Sequence, residues 1–236
     1  GRRPVVLAPV PGFVMYAMSA QLQGLDFVGV PLTPDFALDE SAMLAAIAQH
    51  RPSITYIAYP NNPTATLWDA AVVQRVLDAV AAVGGIAVID EAYQPFASRT
   101  WLDCMRAEPA RNSHVLLMRT LSKFGLAGVR LGYLIGPAAL VGEVDKVRPP
   151  YNVSVLNCEA ALFALEHAGV FAAQATELRA QRTHLIAALR AMPGIDRVWD
   201  SEANMVLVRV RDAARAHEGM KTRKVLVKNV STMHPL

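Results

Sequence analysis

The chain has 236 residues, 53% hydrophobic and 18% charged, too apolar for a disordered polypeptide and long enough for one large domain plus part of a second. Its 23 basic and 20 acidic residues nearly balance and form no basic block with interleaved aromatics, so nucleic-acid binding has little support. Charged residues interrupt every apolar run before it reaches membrane-spanning length, and Cys104 and Cys158 fit neither a disulfide framework nor a zinc site, which points to a reducing, cytoplasmic compartment without a metal.

In chain order, Gly1-Arg2-Arg3-Pro4 carries no apolar leader and opens almost directly on a strand pattern at residues 5–8. Further strand patterns follow at 26–30, 54–58, 86–89, 115–118 and 132–135. Helical periodicity fills the gaps at 16–22, 41–49 and 69–83, with Ser41 and Asp69 as expected N-caps. Strands that read as apolar runs between helices predict an α/β fold, a mostly parallel sheet covered on both faces. A long helical pattern then runs from 151 to about 192, with a bend expected near Gly169 and a stop at Pro193-Gly194. Strands expected at 197–199, 205–210 and 225–228, with a helix near 212–221, predict part of a smaller α+β unit. The expected division is a large domain over residues 1–168 and a partial small domain over 169–236. Without an initiator Met, and with a stop at His234-Pro235-Leu236 just after a strand-like run, the chain is expected to be a fragment cut at both ends.

Open α/β sheets place ligands at the carboxyl ends of their strands. There the run at 86–89 delivers Asp90-Glu91-Ala92-Tyr93, and the run at 115–118 delivers Arg119-Thr120-Leu121-Ser122-Lys123, followed by Gly125, Gly128 and Arg130. An earlier strand ends in Tyr59-Pro60-Asn61-Asn62-Pro63-Thr64. These residues supply a carboxylate, an amine, a phenol, an amide, and a cradle of hydroxyls with a guanidinium. A pyridinium phosphate needs that set. The carboxylate keeps the ring nitrogen protonated, the amine forms an imine and then serves as a base, and hydroxyls with an arginine fork hold the phosphate. Taken singly, each residue has a plainer reading: a solvated lysine, an Asp helix cap, a packing tyrosine, Asn-Pro turn chemistry, a surface arginine. His114, His167, His184, His217 and His234 follow no ligand spacing.

The run from Arg119 to Tyr133 resembles the lysine motif of the fold-type-I aminotransferases that depend on pyridoxal 5'-phosphate, and its wording is closest to their histidinol-phosphate branch. Asn61-Asn62-Pro63-Thr64 resembles the Asn-Pro-Thr-Gly motif of that family, with Ala65 where glycine is usual. Asp90-Glu91-Ala92-Tyr93 resembles its Asp-Glu-Ala-Tyr motif, and the segment from Pro11 to Tyr16 resembles the one that lays an aromatic ring over the cofactor. The resemblance implies that Lys123 forms the Schiff base and moves the substrate's α-proton. Asp90 would pair with the ring nitrogen, Tyr93 and Asn62 would bind the phenolic oxygen, and Thr120, Ser122 and Arg130 the phosphate. Phe13, preferred to Tyr16 on its offset from Pro11, would stack on the ring. Lys228 lies where relatives often carry an arginine that contacts the substrate's phosphate, and lysine keeps that charge without the fork. Gly125 and Gly128 are expected to allow close backbone approach. Tyr151-Asn152 resembles a segment near the subunit boundary and the site's entrance.

The resemblance further implies a homodimer acting on small amino-acid and oxo-acid substrates, with amino transfer between L-histidinol phosphate and 2-oxoglutarate in histidine synthesis. The alternatives on this scaffold are an aromatic aminotransferase, a threonine-phosphate decarboxylase, or a truncated chain without activity. A nicotinamide-dependent enzyme is disfavoured, because no Gly-x-Gly-x-x-Gly follows the first strand.

Overall fold

The computed structural model describes residues 3–233, so the chain ends at Gly1-Arg2 and His234-Pro235-Leu236, with His234 among them, lie outside the described residues. Strands β1 (Val5–Val10), β2 (Asp26–Pro31), β3 (Ile54–Ala58), β4 (Ile86–Asp90), β5 (Val115–Thr120) and β6 (Gly132–Ile135) form one sheet in the order β2-β1-β3-β4-β5-β6. The first five run parallel, and β6 closes the edge antiparallel to β5. Leu7, Ile57, Ile89 and Leu117 are wholly inaccessible to solvent, which is why these strands read as continuous apolar runs.

Helices α1 (Met15–Leu22), α2 (Glu40–His50) and α3 (Ala70–Ala82) connect the parallel strands. On α3 the buried residues Val73, Val76, Leu77 and Val80 recur at three- and four-residue spacing and form the stripe that seals the sheet. Asp69 caps α3 as expected, accepting from the N–H groups of Ala71 and Val72. The cap of α2 is Asp39 instead of Ser41: Asp39 is the extended residue before the first helical turn and accepts from the N–H of Ala42 at 2.9 Å.

After β4 come α4 (Trp101–Ala107) and, beyond β6, α5 (Ala138–Val147). The long helical pattern resolves into α6 (Val155–Glu166) and α7 (Ala168–Arg190), bent by 73° at His167, just before the expected site at Gly169. A two-stranded antiparallel sheet of β7 (Ile195–Val198) and β8 (Val208–Val210) and helix α8 (Ala213–Thr222) follow. The strand expected at 225–228 does not form. Its β-branched residues find no neighbouring ladder among the described residues, and Leu226 is exposed. Among the described residues no single helix is long and apolar enough to cross a membrane.

The loop between β7 and β8 locks onto the large sheet's loops. Glu202 accepts from the N–H of Ser98 at 2.6 Å, and its own N–H donates to the carbonyl of Ala65 at 2.8 Å. Arg182 of α7 donates to the carbonyls of Phe96 and Ala203. Ala65 is buried and held at φ 61°, a backbone region that glycine occupies without strain.

Candidate active site

Parallel pairing sets Ala58, Asp90 and Met118 side by side at the carboxyl ends of β3, β4 and β5. The loops leaving these three strands enclose a cavity of about 830 Å³. Its lining includes Asn62, Asp90, Tyr93, Thr120, Ser122, Lys123, Arg130 and Phe13, so chain segments far apart in sequence converge on one space. Lys228 is not among the lining residues: it stands exposed on the segment after α8, which forms neither helix nor strand.

Asp90 forms the floor. Its Oδ2 accepts from the hydroxyl of Tyr16 at 2.7 Å and its Oδ1 from the N–H of Ala92 at 2.9 Å. Burial pushes its carboxyl above the usual range, against the opposing effect of those two hydrogen bonds. Among the described residues it has no ion-pair partner, although Lys123, Arg119 and Arg130 line the same cavity, so the buried carboxylate is held by hydrogen bonds alone. Beside it, Asn62 Nδ2 donates to the Tyr93 hydroxyl at 3.3 Å, joining the loop after β3 to the loop after β4. Burial, and then the charge of Asp90, raise the Tyr93 hydroxyl's pKa.

Arg130, Ser122 and Thr120 line the same cavity. Arg130 Nη1 donates to Ser122 Oγ at 3.2 Å and to the carbonyl of Ala127 at 3.1 Å, and it has no carboxylate partner among the described residues. Thr120 Oγ1 accepts from the N–H of Ser122 and fixes the start of the turn. Lys123 follows on that turn. Its Nζ makes no hydrogen bond or ion pair among the described residues and lies 5.4 Å from the centre of the Tyr93 ring. Gly125 takes φ 97°, a backbone region that favours glycine, and a Cβ there would press on the Phe171 ring at 3.0 Å. Gly128 has open space around it and no unusual φ, so the expected close approach is absent.

Two features escaped the sequence reading. Phe13 lines the cavity, but Tyr16, set aside as the weaker stacking candidate, is buried and reaches Asp90. The three-residue spacing of Phe13 and Tyr16 at the start of α1 is the signal that both face one way. The second is Glu91, whose fully buried carboxylate accepts from Arg119 Nε and Nη2, from Thr100 Oγ1 and from the N–H of Trp101. This ion pair ties the end of β4 to the end of β5, one residue from Asp90 and one from Thr120. Nothing in the local sequence distinguishes Glu91 from its acidic neighbour. Val141, Val144 and Arg148, from α5 and the residue after it, close the outer wall; Arg148 is paired to Asp145 and Asn152. Tyr151 is almost completely exposed and does not line the cavity.

Residues 2–234 match the model of the family Aminotransferase class I and II. The chain belongs to that family. This aminotransferase chain is 84% identical over all 236 residues to a histidinol-phosphate aminotransferase of Paracidovorax citrulli, and it spans 64% of that relative's length. Among solved structures it resembles the histidinol-phosphate aminotransferase of Clostridium acetobutylicum with a TM-score of 0.88 at 21% identity, covering 99% of this chain and 70% of that one. It also resembles that of Sinorhizobium meliloti, in complex with pyridoxal 5'-phosphate, with a TM-score of 0.84 at 24% identity, covering 98% and 64%. At those identities the structural likeness speaks for the fold, a PLP-dependent-transferase-type α/β architecture.

Enzymes of this family use pyridoxal 5'-phosphate. The donor set of the cavity fits it: a buried carboxylate, an arginine with two hydroxyls, and an amine on the turn between them, none of them ion-paired among the described residues.

Proposed function

We propose that the protein transfers an amino group between L-histidinol phosphate and 2-oxoglutarate, with pyridoxal 5'-phosphate as cofactor, in histidine synthesis. One observation carries the chemistry: Lys123, whose Nζ has no hydrogen bond or ion pair among the described residues, shares a cavity with a buried carboxylate that has no ion pair there and with the Arg130–Ser122 pair. The amino donor is taken from the relative at 84% identity.

When bound, the cofactor supplies an electron sink conjugated to the substrate's α-carbon. The chain's residues do the rest. Asp90 holds a proton on the ring nitrogen. The Asn62–Tyr93 pair donates to the phenolic oxygen, and Phe13 covers a ring face. Arg130, Ser122 and Thr120 hold the phosphate, a charge-assisted set that fixes the ring against rotation. Lys123 would hold the cofactor through its Nζ, and the same amine would serve as the general base for the proton at the substrate's α-carbon. Lys228 is assigned to the substrate's phosphate ester on charge alone.

We further assign residues 1–168 to the cofactor-binding domain and 169–236 to part of the small domain. The working form would be a homodimer in the cytoplasm, with small molecules as its other partners. The dimer is supported by the exposed apolar side chains Leu156, Leu162, Phe163 and Leu165 on α6, which water alone would otherwise cover. A coupled assay with pyridoxal phosphate tests the reaction. Glutamate should form from 2-oxoglutarate with histidinol phosphate as donor. Preference for an aromatic amino acid, or release of carbon dioxide from threonine phosphate, would assign one of the alternative reactions instead.

A further inference from the structure

We propose that Tyr16 is a positioning residue for Asp90, holding its carboxylate in the charged form and in line with the ligand's ring nitrogen. The inference rests on the cofactor reading above. Tyr16 is buried, and its hydroxyl donates to Asp90 Oδ2 at 2.7 Å, while the N–H of Ala92 occupies Oδ1. The carboxylate is therefore held on both oxygens before any ligand arrives. The Tyr16 ring cannot swing away easily. It stacks on Tyr56 with centroids 4.4 Å apart and planes 7° apart, and Phe13 meets it edge-on at 5.6 Å.

The same helix start thus carries the ring-facing residue Phe13 and the carboxylate's donor, and the N–H of Tyr16 is itself bonded to the carbonyl of Phe13 at 3.1 Å. A ring resting against Phe13 is registered to Asp90 through Tyr16. The titratable groups that interact with Asp90 from the packed elements are Tyr16, Tyr56 and Tyr93; Lys123, Arg119 and Arg130 line the same cavity, but none of them is ion-paired with Asp90 among the described residues. In such surroundings desolvation favours a neutral carboxyl, which would leave the ligand's ring nitrogen unprotonated. A hydroxyl donated to the carboxylate opposes that and keeps the proton on the ring. Burial, and then the adjacent charge, push the Tyr16 hydroxyl's pKa well above its ordinary value, so it stays a donor.

The test is a double-mutant cycle on the purified protein, with Tyr16→Phe, Asp90→Asn and the pair, titrated with pyridoxal phosphate labelled at the ring nitrogen with 15N. Tyr16→Phe should weaken cofactor binding about ten-fold, the scale of one charge-assisted hydrogen bond, and move the 15N signal toward the unprotonated ring. In the Asp90→Asn background the same change should cost less than about two-fold, because the hydroxyl no longer has a charge to act on. Equal losses in both backgrounds, or a variant that binds like the parent with a protonated ring, would overturn the proposal and leave the cofactor reading standing. A parent protein that does not bind the cofactor overturns both. Should Tyr16→Phe lower the melting temperature by more than a few degrees, 3-fluorotyrosine at position 16 keeps the shape and strengthens the donor. In that cofactor-free protein the Asp90 carboxyl, followed by 13C NMR, should titrate at lower pH, and an unchanged midpoint sinks the proposal.

Discussion

The carboxyl edge of the large sheet and the surface of α6 are built on opposite terms. At the sheet edge nearly every polar group has a partner: Glu91 accepts from three residues, Asp90 from two, and Asn62 meets Tyr93. Two cations there open on the cavity: Lys123, whose Nζ has no hydrogen bond or ion pair among the described residues, and Arg130, which is held by Ser122 and Ala127 but has no carboxylate partner among them. On α6, Leu156 is 80% exposed and Phe163 65% exposed, and the helix buries only Ala161 and Ala164. The first region is finished except where a ligand would complete it. The second is unfinished in a way that calls for a protein surface. A single chain can thus hold a preformed small-molecule site beside a face whose covering lies elsewhere.

Substitutions across the two regions should separate them. The largest effect is expected at Lys123→Ala, which removes both the attachment point and the base; loss of the base alone should slow turnover by roughly 10²–10⁴-fold, measured in the glutamate-forming assay. Next is Glu91→Ala, which leaves Arg119, its side chain only 17% exposed, without its carboxylate; a loss of about 3–5 kcal/mol is expected in urea unfolding. Leu117→Ala in the sheet should cost about 2–5 kcal/mol, whereas Leu156→Ala on α6 should change the stability of the isolated chain by no more than about 0.5 kcal/mol. Similar losses at Leu117 and Leu156 would erase the contrast between the regions.

A fourth expectation concerns pH. Burial raises the Asp90 carboxyl in the folded chain above its unfolded value, so the folded state binds more protons in the window between the two. Without cofactor, stability should therefore fall as pH rises through that window, and Asp90→Asn should flatten the dependence. The smallest effect is expected at Ala65→Gly, where relief of the positive φ outweighs the added freedom of the unfolded chain by no more than about 1 kcal/mol, seen as a small rise in melting temperature.

Much of this was legible before any coordinates. The doubly covered sheet leaves no polar alternation in its strands, so residues 54–58 and 86–89 announce themselves as apolar runs, and the chemistry-bearing loops follow directly at their ends. Asp90, Lys123 and Arg130 were readable because no plain structural role requires that combination at successive strand ends. Tyr16 was not, since an aromatic at a helix start reads equally as packing, and only the fold brings Asp90 within 2.7 Å of its hydroxyl across 74 residues. Glu91 was missed for a similar reason: its partners Thr100 and Arg119 are fixed by how β4 and β5 pair. The run at 225–228 misled because β-branched residues favour a strand only where a neighbour offers a ladder.

The central claim is that Lys123 carries the cofactor. Borohydride treatment of the protein mixed with pyridoxal phosphate, followed by peptide mass spectrometry, tests it most directly. The account predicts a single stoichiometric phosphopyridoxyl group on Lys123, lost in Lys123→Ala. Labelling of another lysine in its place, or of none, would contradict it.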